Sequence, residues 1–323
     1  MISPGAAFCM FALVVAHTAP AIAQDSYPTR SVRIVVPSSV GGGADLLARQ
    51  LGAGLQQRWK QGISVENKVG GGGNIGTLDV VRSPPDGYTL LVQNSSMVAN
   101  YAISAKKPYS PEKDLTPIML VGVSPLAVFA HPSLRANNIR DLVSLANADP
   151  GAMSYGSCGV GTPHHFAMEI LKIKLAMKIE HVSYKGCSPE VTDVVAGQVP
   201  LGIATANLIA PYVATGRLKV LGVSGSKPHQ LLPGSPTLES QGLSIQDFSI
   251  WYALMGPANM PAHLVNRIAS DAAQILDSPT VRTALSNAGV EPLRGGPEVL
   301  AKRISLEMDQ LSKLAKQANI QPE

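Results

Sequence analysis

The chain has 323 residues, of which 45% are apolar and 15% charged, and a formal net charge of +4. Such a composition excludes a disordered chain, and the length allows two domains. The mild positive charge has no Lys/Arg block behind it and aromatics are only 5%, which disfavours nucleic-acid binding and leaves small anions open as ligands.

The N-terminus has the pattern of an export signal. Ala6 to Ala16 is an apolar run too short to span a bilayer, and Ala21-Ile22-Ala23 before Gln24 has the small-x-small spacing that signal peptidase cuts. Met1 to Gly5 lacks the usual Lys or Arg, and Cys9 lies well before the cut, which speaks against a lipoprotein. Cleavage leaves two cysteines, Cys158 and Cys187, in an oxidising compartment.

The mature part opens on a β-branched run, Val32 to Val36, followed by Ser38 to Gly43 and by Leu47, Leu51 and Leu55 at a four-residue spacing. This predicts strand, Gly-rich loop and helix, the first half of a parallel α/β unit. The first N–H groups of such a helix have no intrahelical partner, and its dipole favours an anion; glycine lets a ligand approach the backbone. A plain turn is the alternative. The second strand, Ile63 to Val69, runs into Gly70 to Gly73 and a helix near Thr77 to Arg82. No Gly-Lys-Ser/Thr closes that loop, so it is not a phosphate-binding P-loop, and Gly41 to Gly43 lacks dinucleotide spacing. After the turn Pro84-Pro85-Asp86-Gly87, the strand Tyr88 to Gln93 ends at Asn94-Ser95-Ser96, a polar trio that either meets a ligand or caps the next helix.

The same grammar repeats downstream. Strands are predicted at Leu126 to His131, Met153 to Tyr155, His181 to Tyr184, Val199 to Ala204, Leu218 to Ser224 and Trp251 to Met255. Helices are predicted at Asn138 to Ala148, His164 to Ile173, Glu190 to Ala196, Ala262 to Leu276, Pro279 to Ala288 and Pro297 to Gln317. Thr162-Pro163 is a natural N-cap and first-turn pair, which makes a second anion-friendly helix start.

These motifs, in order, resemble Bug-type periplasmic solute-binding proteins of the tripartite tricarboxylate transporter family. The similarity spans the mature chain: Tyr27-Pro28, Gly41-Gly42 with Asp45 and Ala48-Arg49, Val65-Glu66-Asn67-Lys68, Gly72 to Gly76, and Pro84 to Tyr88. It continues through Asp114 to Pro117, Tyr155-Gly156-Ser157, Gly161-Thr162-Pro163 with His165, Tyr184-Lys185-Gly186 with Pro189 and Asp193, and Gly197-Gln198-Val199. Each motif is weak alone; the ordered set is specific.

The resemblance implies an α/β, two-lobed type II periplasmic binding protein fold with the ligand in the interlobe cleft. It implies a signal peptide over 1–23, one lobe from 24–125 and 250–323, and a second from 126–249, with crossings near Ser124 to Leu126 and Asp247 to Trp251. It further implies a monomer that uses no cofactor and serves transporter membrane subunits or a sensor. The implied ligand is a small carboxylate held by backbone N–H groups and ordered water. Transferred to this chain, the ligand-binding set is Ser38, Gly41, Gly42, Gly43, Ala44, Asn94, Ser95, Ser157, Gly161, Thr162, His165, Lys185 and Gly186. The chain departs from the family at Ser38, where an aromatic is usual, at Val40, and at Ala204, where an aspartate is frequent. The missing carboxylate disfavours an amino-acid ligand.

A hydrolase using Cys158 with His164 or His165 is the competing reading. No acidic orienter follows the adjacent histidines at a plausible spacing, and no second Cys/His pair supports a metal site. Cys158 and Cys187 each follow a short strand. If those strands are parallel neighbours the thiols are within disulfide reach; otherwise they are two small buried fillers.

Overall fold

The computed structural model describes residues 27–243 and 249–321. The expected signal segment and Asp247, at the second crossing, lie outside them.

The first half begins with β1 (Val32–Val36), α1 (Gly43–Trp59) and β2 (Ile63–Asn67). Ile34, Val35 and Val36 are fully buried, as a strand covered on both faces requires, and Leu47, Leu51 and Leu55 form the buried stripe of α1. Each of these leucines contributes about 1.5–3 kcal/mol by leaving water. A 3-10 turn at Gly71–Gly73 leads into α2 (Asn74–Val81), then β3 (Thr89–Asn94) and α3 (Ser96–Ile103). The four glycines Gly70 to Gly73 all have positive φ, so this turn depends on glycine throughout.

The next strand, β4 (Leu115–Ala130), is 16 residues long and belongs to both halves. The second half adds α4 (Ile139–Ala148), β5 (Ser154–Ser157), α5 (Pro163–Lys174), β6 (Glu180–Ser183), α6 (Cys187–Val195), β7 (Leu201–Thr205), α7 (Ala206–Ala214) and β8 (Lys219–Val223). The chain returns through β9 (Ser249–Pro257), α8 (Ala262–Leu276), α9 (Pro279–Asn287), β10 (Glu291–Gly295) and α10 (Pro297–Gln317).

The strands follow the order β2-β1-β3-β9-β4-β7-β5-β6, with β10 and β8 also paired to β4. Leu115 to Pro125 of β4 pairs with β9, whereas Leu126 to Ala130 pairs with β7 and β8. The sheet therefore changes partners between Pro125 and Leu126, within the expected first crossing. β1, β2 and β3 are parallel, and Asn94 at the end of β3 lies opposite Tyr252, which lies opposite Gly122. In the second half, Thr205 at the end of β7 lies opposite Leu126, and β5 and β6 run parallel to β7. The carboxyl ends of three parallel strands from each half thus face the same junction.

The observed β4 begins eleven residues before the strand expected at Leu126, and neither α7 nor β10 was expected. Pro117, Gly122 and Pro125 break the strand signal in β4, and its pairing with β9 shifts register between Pro117 and Met119 and between Leu120 and Gly122. β10 carries Pro292 and pairs irregularly, and α7 contains Pro211.

Candidate ligand-binding cleft

Loops after parallel strands lie at the carboxyl edge of a sheet, where α/β proteins hold ligands. The loop between β1 and α1 is fastened from below by Asp45, whose carboxylate accepts the N–H of Gly41 (2.9 Å), the amide of Asn67 (2.9 Å) and the guanidinium of Arg49 (3.1 Å). Asn67 also donates to the carbonyl of Ser38 at 3.0 Å, tying β2 to the same loop. Burial alone raises the Asp45 pKa, but the bonds from Arg49, Gly41 and Asn67 more than reverse that and hold it below its ordinary value.

This fastening narrows the expected anion grip. The N–H of Gly41 is held by Asp45, and that of Gly42 points to the Ser39 carbonyl at 3.4 Å. No described residue takes the N–H of Gly43 or Ala44, and Gly42, the N-cap, supplies no side chain. Gly43 is packed against Tyr252, where any Cβ would overlap the phenol, so glycine is needed there for packing.

Two expected side chains are left unsatisfied, Ser38 on this loop and Ser95 after β3 at the cavity between α5 and α10. The hydroxyls of Ser38 and Ser95 are buried with no hydrogen-bond partner in the protein. A buried hydroxyl left unpaired costs about 1–3 kcal/mol, so both call for a ligand or water. Asn94 is a local cap as well: its Oδ1 accepts the Ser96 N–H at 2.9 Å, and no described residue takes its Nδ2.

The second half presents the starts of α5, α6 and α7. Thr162 caps α5: its hydroxyl accepts the N–H of His165 and donates to the Gly159 carbonyl at 2.7 Å. The N–H of Gly161 is held by His165 Nδ1 at 3.2 Å, so His165 fastens the loop. Its ring is buried and stacked on His181 at 3.8 Å, and burial, with His181 and Lys172 nearby, holds its pKa down to about 3. Ser157 bonds through its hydroxyl to His181 Nε2 at 2.7 Å. Among the expected residues here, Gly161, Thr162, His165 and Ser157 therefore hold one another and their neighbours in place. Gly186 is joined to the β5 loop by its N–H on the Cys158 carbonyl at 3.1 Å, and Lys185 is exposed beside it.

β5 and β6 are parallel neighbours, and Cys158 and Cys187 form a disulfide, which decides between the two readings of the pair. The bond also removes the hydrolase reading, because Cys158 is not a free thiol and the imidazole near the bond, His164, lies 3.7 Å from Cys187. Cys158, Cys187 and His164 have potential metal-ligand atoms within 4.8 Å of one another, but the two sulfurs are bonded together. Ala204 is fully buried with Val191, Val194 and Ile209, so the last residue of β7 at the junction is Thr205.

Sequence reasoning missed Tyr252 and Ser124. The Tyr252 phenol touches Gly43 and lies 3.2 Å from the Ser124 hydroxyl, which donates to the Gly289 carbonyl at 2.9 Å. These contacts join distant segments, and no local pattern announces them. A separate cavity of about 580 Å³ lies between α5 and α10, lined by Pro163, Phe166, Arg294 and Leu306; it shares only Ser95 with the expected set.

The fold has known counterparts. A Rhodopseudomonas palustris protein solved with adipate is 30% identical, with a TM-score of 0.79 over 92% of this chain and all of that one. Periplasmic binding protein BugD is 27% identical, with a TM-score of 0.76 over 92% of this chain and all of that one. MatC from Rhodopseudomonas palustris, solved with bound malate, is 26% identical, with a TM-score of 0.75 over 89% of this chain and 99% of that one. Protein BugT of Bordetella pertussis is 28% identical over 288 residues, 88% of each chain. The family is one of solute-binding receptors rather than enzymes. Its sequence profile, described as Tripartite tricarboxylate transporter family receptor, matches residues 47–320, and this chain belongs to that family.

Proposed function

We propose that the protein works in the periplasm as a monomer, captures a small carboxylate between its lobes and delivers it to transporter membrane subunits or a sensor. The lobes comprise 24–125 with 250–323, and 126–249, and the ligand lies at the junction among Ser38, Gly43, Ala44, Asn94 and Ser95 on one side and the Ser157 and Gly186 loops on the other. The observation that carries this reading is the pair of unclaimed N–H groups at the start of α1, with the buried, unpartnered Ser38 hydroxyl on the loop that leads into it. A carboxylate satisfies both at once: its oxygens accept from the N–H groups, and the helix dipole favours its charge. The adipate and malate found in two structural relatives support the ligand class.

Thermal-shift screening of mono-, di- and tricarboxylates tests the reading, because a ligand that binds only the folded state raises apparent stability by mass action. Protein recovered from the periplasmic fraction should respond to at least one member of the panel. A flat response across the panel overturns the ligand class, and recovery only from cytoplasm, with Met1 intact, overturns the location.

A further inference from the structure

The disulfide has two unlike ends. Cys158 is buried at 8% exposure, whereas Cys187 is partly exposed in the first turn of α6. Against the buried sulfur lies a carboxyl group that ligand binding does not use: Glu190 has no exposed surface, and its Oε2 is 3.2 Å from Cys158 Sγ. A cradle surrounds this acid. Gly156 and Gly202 are paired across β5 and β7, and a Cβ would stand 2.9 Å from Glu190 Cγ at the first and 2.5 Å from Oε1 at the second.

The hydrogen bonds place the acid's proton. Glu190 Oε1 accepts the N–H of Ile203 at 2.7 Å, so the O–H is carried by Oε2, the oxygen that faces the sulfur. Burial, only partly opposed by that N–H, pushes the group up to about 8 and keeps it protonated near neutral pH. On the other side His164 is buried and neutral, pushed down to about 4, so it adds no charge at Cys187.

We propose that the Cys158–Cys187 disulfide is a thiol–disulfide exchange site for a dithiol reductant, attacked at Cys187, with Glu190 as the acid that protonates the departing Cys158 sulfur. The reductant's thiolate attacks Cys187 Sγ, forming a mixed disulfide there. The Cys158–Cys187 bond breaks, and its electron pair goes to Cys158 Sγ, which takes the proton from Glu190 Oε2. The second thiolate of the reductant then attacks its own sulfur in the mixed disulfide and releases Cys187, which is protonated from water. Solvent restores the proton on Glu190. The dithiol is oxidised by two electrons to a disulfide, and the protein disulfide is reduced to two thiols. Exposure and leaving-group protonation select the same sulfur for attack, since exchange is fastest where access is open and the departing thiolate is stabilised.

Native protein treated with limiting glutathione, quenched in acid, alkylated and mapped should carry glutathione on Cys187 and the alkyl group on Cys158. The reverse attachment, or a disulfide untouched in the native protein by excess dithiothreitol, overturns the proposal. Glu190→Gln keeps the volume and the acceptor for Ile203 but removes the transferable proton; it should slow reduction by dithiothreitol on the order of tenfold. Equal rates in the wild type and in a Glu190→Gln protein with native melting behaviour overturn the role of Glu190. If that variant does not fold, the glutathione map on the wild type still decides the polarity of attack.

Discussion

Asp45 shows at the scale of one residue how the cleft is both built and confined. Its carboxylate takes the Gly41 N–H and leaves those of Gly43 and Ala44 unclaimed, so the helix start presents a small set of donors in a fixed place. Because its pKa is depressed in the folded state, the stability it contributes is present above the unfolded value, about 3.9, and is lost as pH falls through the folded value. Asp79, held low between Lys68 and Arg33 after burial is overcome, behaves alike, so acid unfolding should compare Asp45→Asn with wild type. The variant should show a shallower loss of stability below about pH 4. Equal slopes would mean that the Asp45 network is absent in solution. Gly42 offers a cleaner test of the ligand site. It has φ −72°, and a Cβ there meets nothing nearer than the Ser39 carbonyl at 3.4 Å, so Gly42→Val should fold normally. Its side chain would block approach to the backbone, and calorimetry should show carboxylate binding abolished; unchanged affinity would put the site elsewhere. Gly43→Val cannot serve this purpose, because it collides with Tyr252.

At the scale of elements, the start of each helix was legible where chemistry is local. Thr162 was recognisable as a cap because a side-chain oxygen just before Pro and a helical pattern has one role, and it accepts the His165 N–H as expected; Asn138, read as the first residue of its helix, is instead its cap, accepting the Asp141 N–H at 2.8 Å. The apolar spacing of Ala262 to Leu276 and Pro297 to Gln317 gave those helices their observed limits. The first part of β4 was illegible for the opposite reason: Pro117, Gly122 and Pro125 argue locally against a strand, and pairing along β9 overrides them. The disulfide was legible only conditionally, since it required β5 and β6 to be neighbours. It now closes a segment with a sequence separation of 29, for which chain entropy gives roughly 3 to 4 kcal/mol. The Cys158→Ala/Cys187→Ala double variant should lose about that much in urea unfolding. It should also bind ligand more weakly, because the starts of α5 and α6 are then joined by backbone bonds alone. A loss below about 1 kcal/mol would show that neighbouring contacts already confine the unfolded loop.

At the scale of the whole molecule, described residues of the two halves also meet away from the junction strands. On one side α3 and α10 approach α5: Ile103 lies against Gly161, and Ala99, Phe166, Ala315 and Ile320 form a small buried cluster. On the other, Gly289 contacts Asn207, and the Ser286 hydroxyl bonds to Gln230 at 2.7 Å. On the proposed function, closure of the halves around a ligand would draw its energy from such contacts, and a ligand would shift the equilibrium only by what it adds to the closed form. Ile103 is partly buried and touches the loop at Gly161, whose N–H His165 holds, so it reports closure without belonging to the proposed binding set. Truncating it removes apolar contact that exists only when the halves are together. Ile103→Ala should therefore weaken carboxylate affinity by roughly threefold to tenfold, about 0.7 to 1.4 kcal/mol, while changing the urea midpoint little. Small-angle scattering should show the ligand-free variant shifted toward a larger radius of gyration and returning to the wild-type value at saturating ligand. Unchanged affinity and an unchanged radius would mean that the contact between Ile103 and Gly161 is equally present in open and closed forms, and that closure is governed on the Gly289 side.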